Sequence, residues 1–333
     1  MSEKISILMP IKNAGPYLAD CLNSIINQTE SNWELIAVND LSTDSSLNIL
    51  NEYANKEKRI KVFTNNGQGI IDALRLAYAN SSGNLITRMD ADDLMAADKL
   101  QLLKQKLIVL GQGYLATGLV KYFANAPLGD GYKKYEAWLN KLTKNHNNFS
   151  EIYKECVIPS PCWMVYKSDL EKCEAFKPNH YPEDYDLCFR FYKNKLKVVG
   201  VNKILHHWRD YPTRTSRTDE HYEDNRFLNI KLHYFLQLDY EENKTLALWG
   251  AGKKGKFIAK HLIKKNIKFM WLSNNSKKIG KQIYDVKVEN CYYKISNQKQ
   301  YIVAVAQAEA QLDITMNLNN ENLQIGTNYF FFC

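Results

Sequence analysis

No stretch of this chain approaches the roughly 18 to 20 apolar residues that cross a bilayer. The apolar run in its opening MSEKISILMPIKNAG is too short for the core of a signal peptide. Both absences point to a cytosolic protein. The cysteines Cys21, Cys156, Cys162, Cys173, Cys188, Cys291 and Cys333 are odd in number, scattered and without a CxxC pair. That is the pattern of reduced structural thiols and excludes a disulfide framework or a zinc site. Glycine and proline are scarce too, 15 and 8 in 333 residues, and no tandem repeat or low-complexity tract is present, so the chain is neither collagen-like nor disordered.

What remains is a globular composition, 45% hydrophobic and 12% aromatic, at a length that suggests two domains. The formal net charge of +8 is unevenly spread: residues 1–243 carry 30 basic and 31 acidic side chains, whereas 244–333 carry 14 lysines and 5 acidic residues. Such asymmetry marks a domain boundary as well as an electrostatic task. We expect a first domain at 1–219, a helical linker at 220–243 and a basic domain at 244–333. The lysines of the last part read as a solvated helix face or as contacts to an anionic partner, whether a membrane surface, a phosphorylated glycan or a nucleotide. In the membrane case the protein would sit peripherally at the inner face. Regularly interleaved aromatics for base stacking are missing, so no nucleic-acid partner is expected.

Over the first hundred residues, apolar runs rich in β-branched residues alternate with helical periodicity. Strands are predicted at 5–11, 33–39, 60–64 and 84–89, and helices at 17–28, 45–56 and 70–80. This alternation predicts a mostly parallel sheet with helices on both faces and ligands at the carboxyl ends of the strands. Polar residues collect at those ends: Pro10 to Asn13, then Asn39 and Asp40, then Asp90, Asp92 and Asp93. Further on, helices are predicted at 135–144, 184–193 and 222–240, with strand-like sequence at 197–208.

Met89-Asp90-Ala91-Asp92-Asp93 closes the fourth strand. Three carboxylates within four residues repel one another unless a cation compensates them. Mg²⁺ or Mn²⁺, hard ions with oxygen ligands that bridge to substrate phosphates, suits such a group. Alone, an acidic run of this kind is more often a solvated turn. Here it follows Ile7-Leu8-Met9-Pro10-Ile11-Lys12-Asn13 with Tyr17, Leu18, Cys21, Ser24, Ile25 and Gln28, then Glu34-Leu35-Ile36 before Asn39-Asp40 and Ser42-Thr43-Asp44, then Gly83, Ile86 and Arg88. Together these closely resemble family 2 inverting glycosyltransferases of the GT-A fold, strongly over 5–110 and more weakly over 150–218.

The resemblance implies an α/β GT-A nucleotide-diphospho-sugar transferase fold. It implies that the loop after Pro10, with Asn13, and the carboxylate of Asp40 hold the base and ribose of a nucleotide sugar. Asp90 would contact the ribose or a metal-bound water, or join Asp92 on the metal at the diphosphate, with Asp93 beside the substrate. Asp40 reads alternatively as a helix N-cap, although Ser42 or Asp44 is better placed to cap 45–56. Arg88 reads as a surface residue on an edge strand or, beside the acidic run, as a phosphate contact. Asn39 and Leu41 stand where the family usually has Asp and Gly.

Transfer with inversion also needs a base for the acceptor hydroxyl, set apart from the metal. Tyr181-Pro182-Glu183-Asp184-Tyr185-Asp186 resembles the family's Glu-Asp motif opening a helix, with Leu187 and Phe191 on its apolar face. Asp184 is the candidate base and Glu183 a substrate contact; the alternative is that the acidic residues only favour a helix N-terminus. His206-His207-Trp208-Arg209 and Thr213–Thr218 resemble the segment that closes over the diphosphate. There His206 or His207 reads as a third metal ligand, a phosphate contact or a structural residue. Ser160-Pro161 stands where the family often has His-Pro, so no acceptor contact carries over.

A strand, a GxGxxG and a helix start follow Thr245, with Gly250, Gly252 and Gly255 able to admit a cofactor phosphate to a helix N-terminus. The acidic residue expected about 20 positions later is replaced by Ser273-Asn274-Asn275. The segment resembles small Rossmann-like modules appended to some sugar-modifying enzymes. The resulting expectation is a metal-dependent inverting glycosyltransferase taking a nucleotide sugar, on family grounds a UDP-sugar, to a hydroxyl of a glycan or lipid-linked acceptor in cell-surface polysaccharide or glycolipid synthesis. The rivals are an NAD(P)-dependent oxidoreductase working through the glycine-rich domain, and a non-enzymatic sugar- or membrane-binding scaffold.

Overall fold

The computed structural model describes residues 3–214, 227–291 and 294–333. The chain divides into two compact units, one built from residues 1–148 and 157–217, the other from 149–156 and 218–333. The expected domain boundary at 219/220, the segment 215–218 and the start of the helix expected at 222 lie outside the described residues.

In the first unit β1 (Ile5–Ile11), α1 (Gly15–Ile26), β2 (Trp33–Asn39), α2 (Ser46–Lys56), β3 (Ile60–Thr64), α3 (Ile70–Ala79) and β4 (Leu85–Arg88) follow the predicted alternation. Helix α1 starts two residues earlier than the apolar pattern suggests because Pro16 occupies its first turn, where a missing N–H costs nothing. Its Leu18, Cys21, Leu22 and Ile25 form one buried stripe. Polar side chains of α1 and of the turn that follows it pin the segment after β4: Met95 N–H donates to Ser24 Oγ (3.1 Å), Gln28 Nε2 donates to the Ala96 carbonyl (2.7 Å), and Leu100 N–H donates to Gln28 Oε1 (3.1 Å). Gly83 allows the chain to enter β4 tightly against β1, since a Cβ there would lie 2.7 Å from the Lys4 carbonyl oxygen.

Beyond β4 come β5 (Leu94–Met95), α4 (Lys99–Leu110), β6 (Tyr114–Phe123), α5 (Asp130–Lys144), β7 (Trp163–Tyr166), α6 (Lys167–Lys172), α7 (Glu183–Lys193) and β8 (Lys197–Arg209). The strand order is β3-β2-β1-β4-β7-β6-β8-β5. Strands β3, β2, β1 and β4 run parallel as expected, while β7 is antiparallel to both β4 and β6, so the sheet is mixed. Because β7 lies beside β4, the Pro159–Cys162 turn before β7 and the start of α7 come to the acidic end of β4.

The second unit has a smaller sheet ordered β11-β12-β10-β9-β13-β14, from β9 (Thr245–Trp249), β10 (Phe269–Ser273), β11 (Gln282–Ile283), β12 (Val286–Asn290), β13 (Lys299–Val303) and β14 (Tyr329–Phe331). All its pairings are parallel except β11 with β12. Helices α8 (Phe227–Leu238), α9 (Lys253–Lys264) and α10 (Ala308–Asn320) complete it. The short segment 149–156 contributes Tyr153, which stacks on Phe332 at 5.3 Å and meets Phe235 and Phe330 edge-on. No helix among the described residues is long and apolar enough to cross a membrane.

Candidate active site

The carboxyl ends of β1, β2 and β3 hold a polar loop cluster. Asp40, buried after β2, accepts Asn65 Nδ2 at 2.6 Å and the Gly69 N–H at 3.2 Å, with Lys12 Nζ at 3.5 Å. It therefore ties β2 to the start of α3 and caps no turn of α2, where Asp44 accepts Ser46 N–H (2.9 Å). Pro10 lies in β1 opposite Val38 of β2, beyond Leu8, where the pairing of β1 with β4 stops. Asn13, at φ 52°, accepts Thr43 N–H at 2.8 Å, while its own N–H donates to Ser42 Oγ. Leu41, standing where the family usually has Gly, takes a left-handed φ of 55° and is exposed.

Arg88 at the end of β4 is neither on an edge strand nor at the surface. Its buried guanidinium donates from Nε to Asp90 Oδ1 (3.1 Å) and from Nη1 to Glu183 Oε1 (2.8 Å). One cation thus joins the acidic run after β4 to the first turn of α7, the two motifs that the sequence sets nearly a hundred residues apart. Beside it, Asp184 is half-buried and accepts the Ser160 hydroxyl on Oδ2 at 3.0 Å. Burial and repulsion from Glu183 push the Asp184 carboxyl up to about 6, against the opposing pull of Arg88 and Ser160.

Asp92 Oδ2 accepts the Tyr211 hydroxyl (2.9 Å) and lies 3.9 Å from Arg214 Nε. Burial, then repulsion from Asp93 and Asp90, pushes Asp92 up to about 6 although Arg214 counters it. Asp93 has no exposed surface. It accepts Arg209 N–H (2.8 Å) on Oδ1 and meets His206 Nε2 (3.0 Å) on Oδ2, which makes it a support of the loop where a donor contact was expected. His206 likewise has both ring nitrogens engaged, the second by Lys99 Nζ at 3.1 Å, and so is not available as a third metal ligand; His207 packs edge-on to Phe123.

A divalent metal ion would have to be held by this donor set. Among the described residues no group of three or more His, Cys, Asp or Glu is arranged to hold one. Asp90 Oδ2 and Asp92 Oδ1, however, accept no hydrogen bond there, and the crowding that raises Asp92 is the repulsion a cation relieves. Mg²⁺ and Mn²⁺ are commonly held by one or two carboxylates completed by water and substrate phosphate, and these residues fit that mode.

Residues 6–173 match the family model described as Glycosyl transferase family 2. The chain belongs to this family. Over 220 residues, 63% of the chain, it is 31% identical to glycosyltransferase GlyA of Streptococcus pneumoniae serotype 4, and the match spans 31% of GlyA's length. Among solved structures it is similar to S. aureus TarS 1–349 in complex with UDP-GlcNAc, with TM-score 0.55 and 18% identity over 72% of this chain and 68% of that one. It is also similar to the mannosyltransferase PcManGT from Pyrobaculum calidifontis in complex with GDP-Man and Mn²⁺, with TM-score 0.53 and 15% identity over 72% and 71% of the two chains. At such identities the likeness is one of fold, the GT-A fold.

This family 2 chain also brings to the site Asn65 and Tyr211, which the sequence did not single out, beside Arg214 of the 213–218 segment. Asn65 reaches Asp40, and Tyr211 and Arg214 cover Asp92. Asn65 follows the third strand of a parallel series, so the rule placing ligands at strand carboxyl ends could have found it; no spacing marks Tyr211, whereas Arg214 falls in the 213–218 segment that resembles a stretch closing over the diphosphate. In the second unit, Gly250 at φ 125° and Gly255 serve backbone packing. A Cβ on Gly255 would lie 2.0 Å from the Gly250 carbonyl oxygen, and one on Gly250 would lie 2.8 Å from that of Ala304, whereas Gly252 faces open space. Ser273, where a dinucleotide site has its acidic residue, uses its hydroxyl to accept the Asn275 N–H.

Proposed function

We propose that this chain is an inverting glycosyltransferase that moves a sugar from a nucleoside-diphosphate sugar, a UDP-sugar, to a hydroxyl of a glycan or lipid-linked acceptor in cell-surface polymer or glycolipid synthesis. The observation that carries this reading is the Arg88 bridge. It ties Glu183, the chain neighbour of Asp184, to Asp90 of the acidic run, and the Asp184 carboxyl, raised to about 6, is poised near neutral pH. The acceptor oxygen forms its bond to the anomeric carbon as the carbon–oxygen bond to the diphosphate breaks. The acceptor proton passes to Asp184, and the bonding pair leaves with the nucleoside diphosphate. Asp40 with Asn65, and the Asn13 loop, would hold the base and ribose. Asp92 with Asp90 would hold Mg²⁺ or Mn²⁺, which when bound neutralises charge on the departing diphosphate. Arg88 and Glu183 would orient the donor by fixing those carboxylates.

The UDP-GlcNAc of the TarS complex and the GDP-Man with Mn²⁺ of PcManGT support a nucleotide-sugar donor and a divalent ion. The basic second unit would add contact with an anionic membrane or glycan surface. The test is a thermal-shift and donor-hydrolysis panel of UDP-Glc, UDP-GlcNAc, UDP-Gal and GDP-Man with Mn²⁺ or Mg²⁺. Stabilisation by one UDP-sugar and by UDP is expected. No shift with any donor or free nucleoside diphosphate would sink the proposal.

A further inference from the structure

Under the acidic run lies a buried chain of hydrogen bonds that no step above uses. Lys99, the first residue of α4, is 1% exposed. Its ammonium donates to the Pro161 carbonyl at 2.5 Å and faces His206 Nδ1 at 3.1 Å. With Nδ1 accepting from the Lys99 amine, the Nε2–H of His206 is the donor to Asp93. Pro161 belongs to a turn gripped at three successive carbonyls by buried side chains from three elements. Lys99 holds that of Pro161, the Thr117 hydroxyl holds that of Cys162 (2.6 Å), and the Thr87 hydroxyl holds that of Trp163 (2.6 Å). One residue before Pro161, the Ser160 hydroxyl donates to Asp184.

A lysine buried this deeply is costly unless compensated, and an apolar side chain of like length would fill the space. We infer that Lys99 is a positioning residue: it locks the Ser160–Pro161 turn to the support of the acidic run, so that Ser160 holds the Asp184 carboxylate at a fixed place relative to the donor side. This rests on the reading of Asp184 as the base. Ser160 belongs to the same device, and its hydroxyl selects the orientation in which Oδ2 is engaged and Asp184 Oδ1, which accepts Tyr185 N–H at 2.7 Å, is turned toward its own helix. A displacement of about 1 Å at a reacting group costs roughly a hundredfold in rate, so the effect falls on turnover and not on donor binding.

The experiment uses the full chain and compares wild type, Lys99→Met, Lys99→Arg, Ser160→Ala and the Lys99→Met/Ser160→Ala pair. Turnover and KM are read by hydrolysis of the UDP-sugar giving the largest thermal shift, and UDP affinity is read by calorimetry with Mn²⁺. Lys99→Met is expected to lower kcat about 10- to 100-fold with donor KM and UDP affinity within about twofold of wild type. Ser160→Ala should lower kcat about tenfold, and the pair should be no worse than Lys99→Met alone. Additive losses, an equal loss of UDP affinity, or unchanged kcat in either single variant overturns the inference. If Lys99→Met does not fold, Ser160→Ala and Lys99→Arg decide it: wild-type kcat in either refutes it. Asp184→Asn separates this from the underlying reading. If that variant turns over normally, Asp184 is not the base; if it is dead while Lys99→Met and Ser160→Ala are normal, the base stands and the positioning device does not.

Discussion

Arg88→Met is the sharpest perturbation of the proposed site. It replaces a buried guanidinium, 4% exposed, with an apolar side chain of similar length, and leaves Asp90 and Glu183 without the cation now 3.1 and 2.8 Å away. Removing one partner of a buried ionic group costs about 3 to 5 kcal/mol. In a unit of this size each kcal/mol moves the melting midpoint by about 2 to 4 °C, so calorimetry should show the first unit melting roughly 6 to 20 °C lower. The same change has a signature in catalysis. Arg88 opposes the burial and Glu183 repulsion that raise Asp184 to about 6, and a base works only when deprotonated. The wild-type rate should therefore climb with pH and level off above about 6, and in Arg88→Met the rising limb should move to higher pH while keeping its shape. The assay is kcat against pH from 4.5 to 9 for the two proteins. A midpoint drop under about 2 °C, or a limb that stays in place, would refute the bridge as the element that couples the two acidic motifs.

Other outcomes separate the remaining roles. Asp184→Asn should abolish transfer while leaving Mn²⁺-dependent UDP affinity near wild type by calorimetry. Asp92→Asn should weaken that affinity at least tenfold, and the opposite pattern would mean that the two roles are exchanged. Gly83→Ala should destabilise the first unit by about 1 to 3 kcal/mol in urea titration, because its Cβ would meet backbone atoms of β1 at 2.7 Å; an unchanged midpoint would mean that the entry to β4 yields freely.

Much of the first hundred residues was legible because their structure is set by short-range pattern. The stripe of α1, the β-branched strands and the polar residues at the strand ends are all encoded within a few residues of one another. The acidic run was therefore placed correctly at the end of β4. Its members were not distinguishable by pattern: adjacent carboxylates Asp92 and Asp93 differ only in which way the turn aims them, one toward Tyr211 and the other into the buried His206. Helix α5 begins at Asp130, five residues before the predicted start, because polar and charged residues in its first turn give no apolar period to read.

What the sequence determined by itself was the alternation of elements, the family resemblance and the fact that carboxylates gather where strands of a parallel series end. What the tertiary structure decided was which charges meet. Arg88 finds Glu183 95 positions away and Lys99 finds His206 107 positions away, both because β7 inserts between β4 and β6 and brings α7 and β8 to the same end of the sheet. In sequence Arg88 reads as a surface residue or a phosphate contact, and nothing local marks Lys99. Only the closed sheet order removes them from water, and a charge removed from water must find a partner, so their roles arise from burial that no local pattern records.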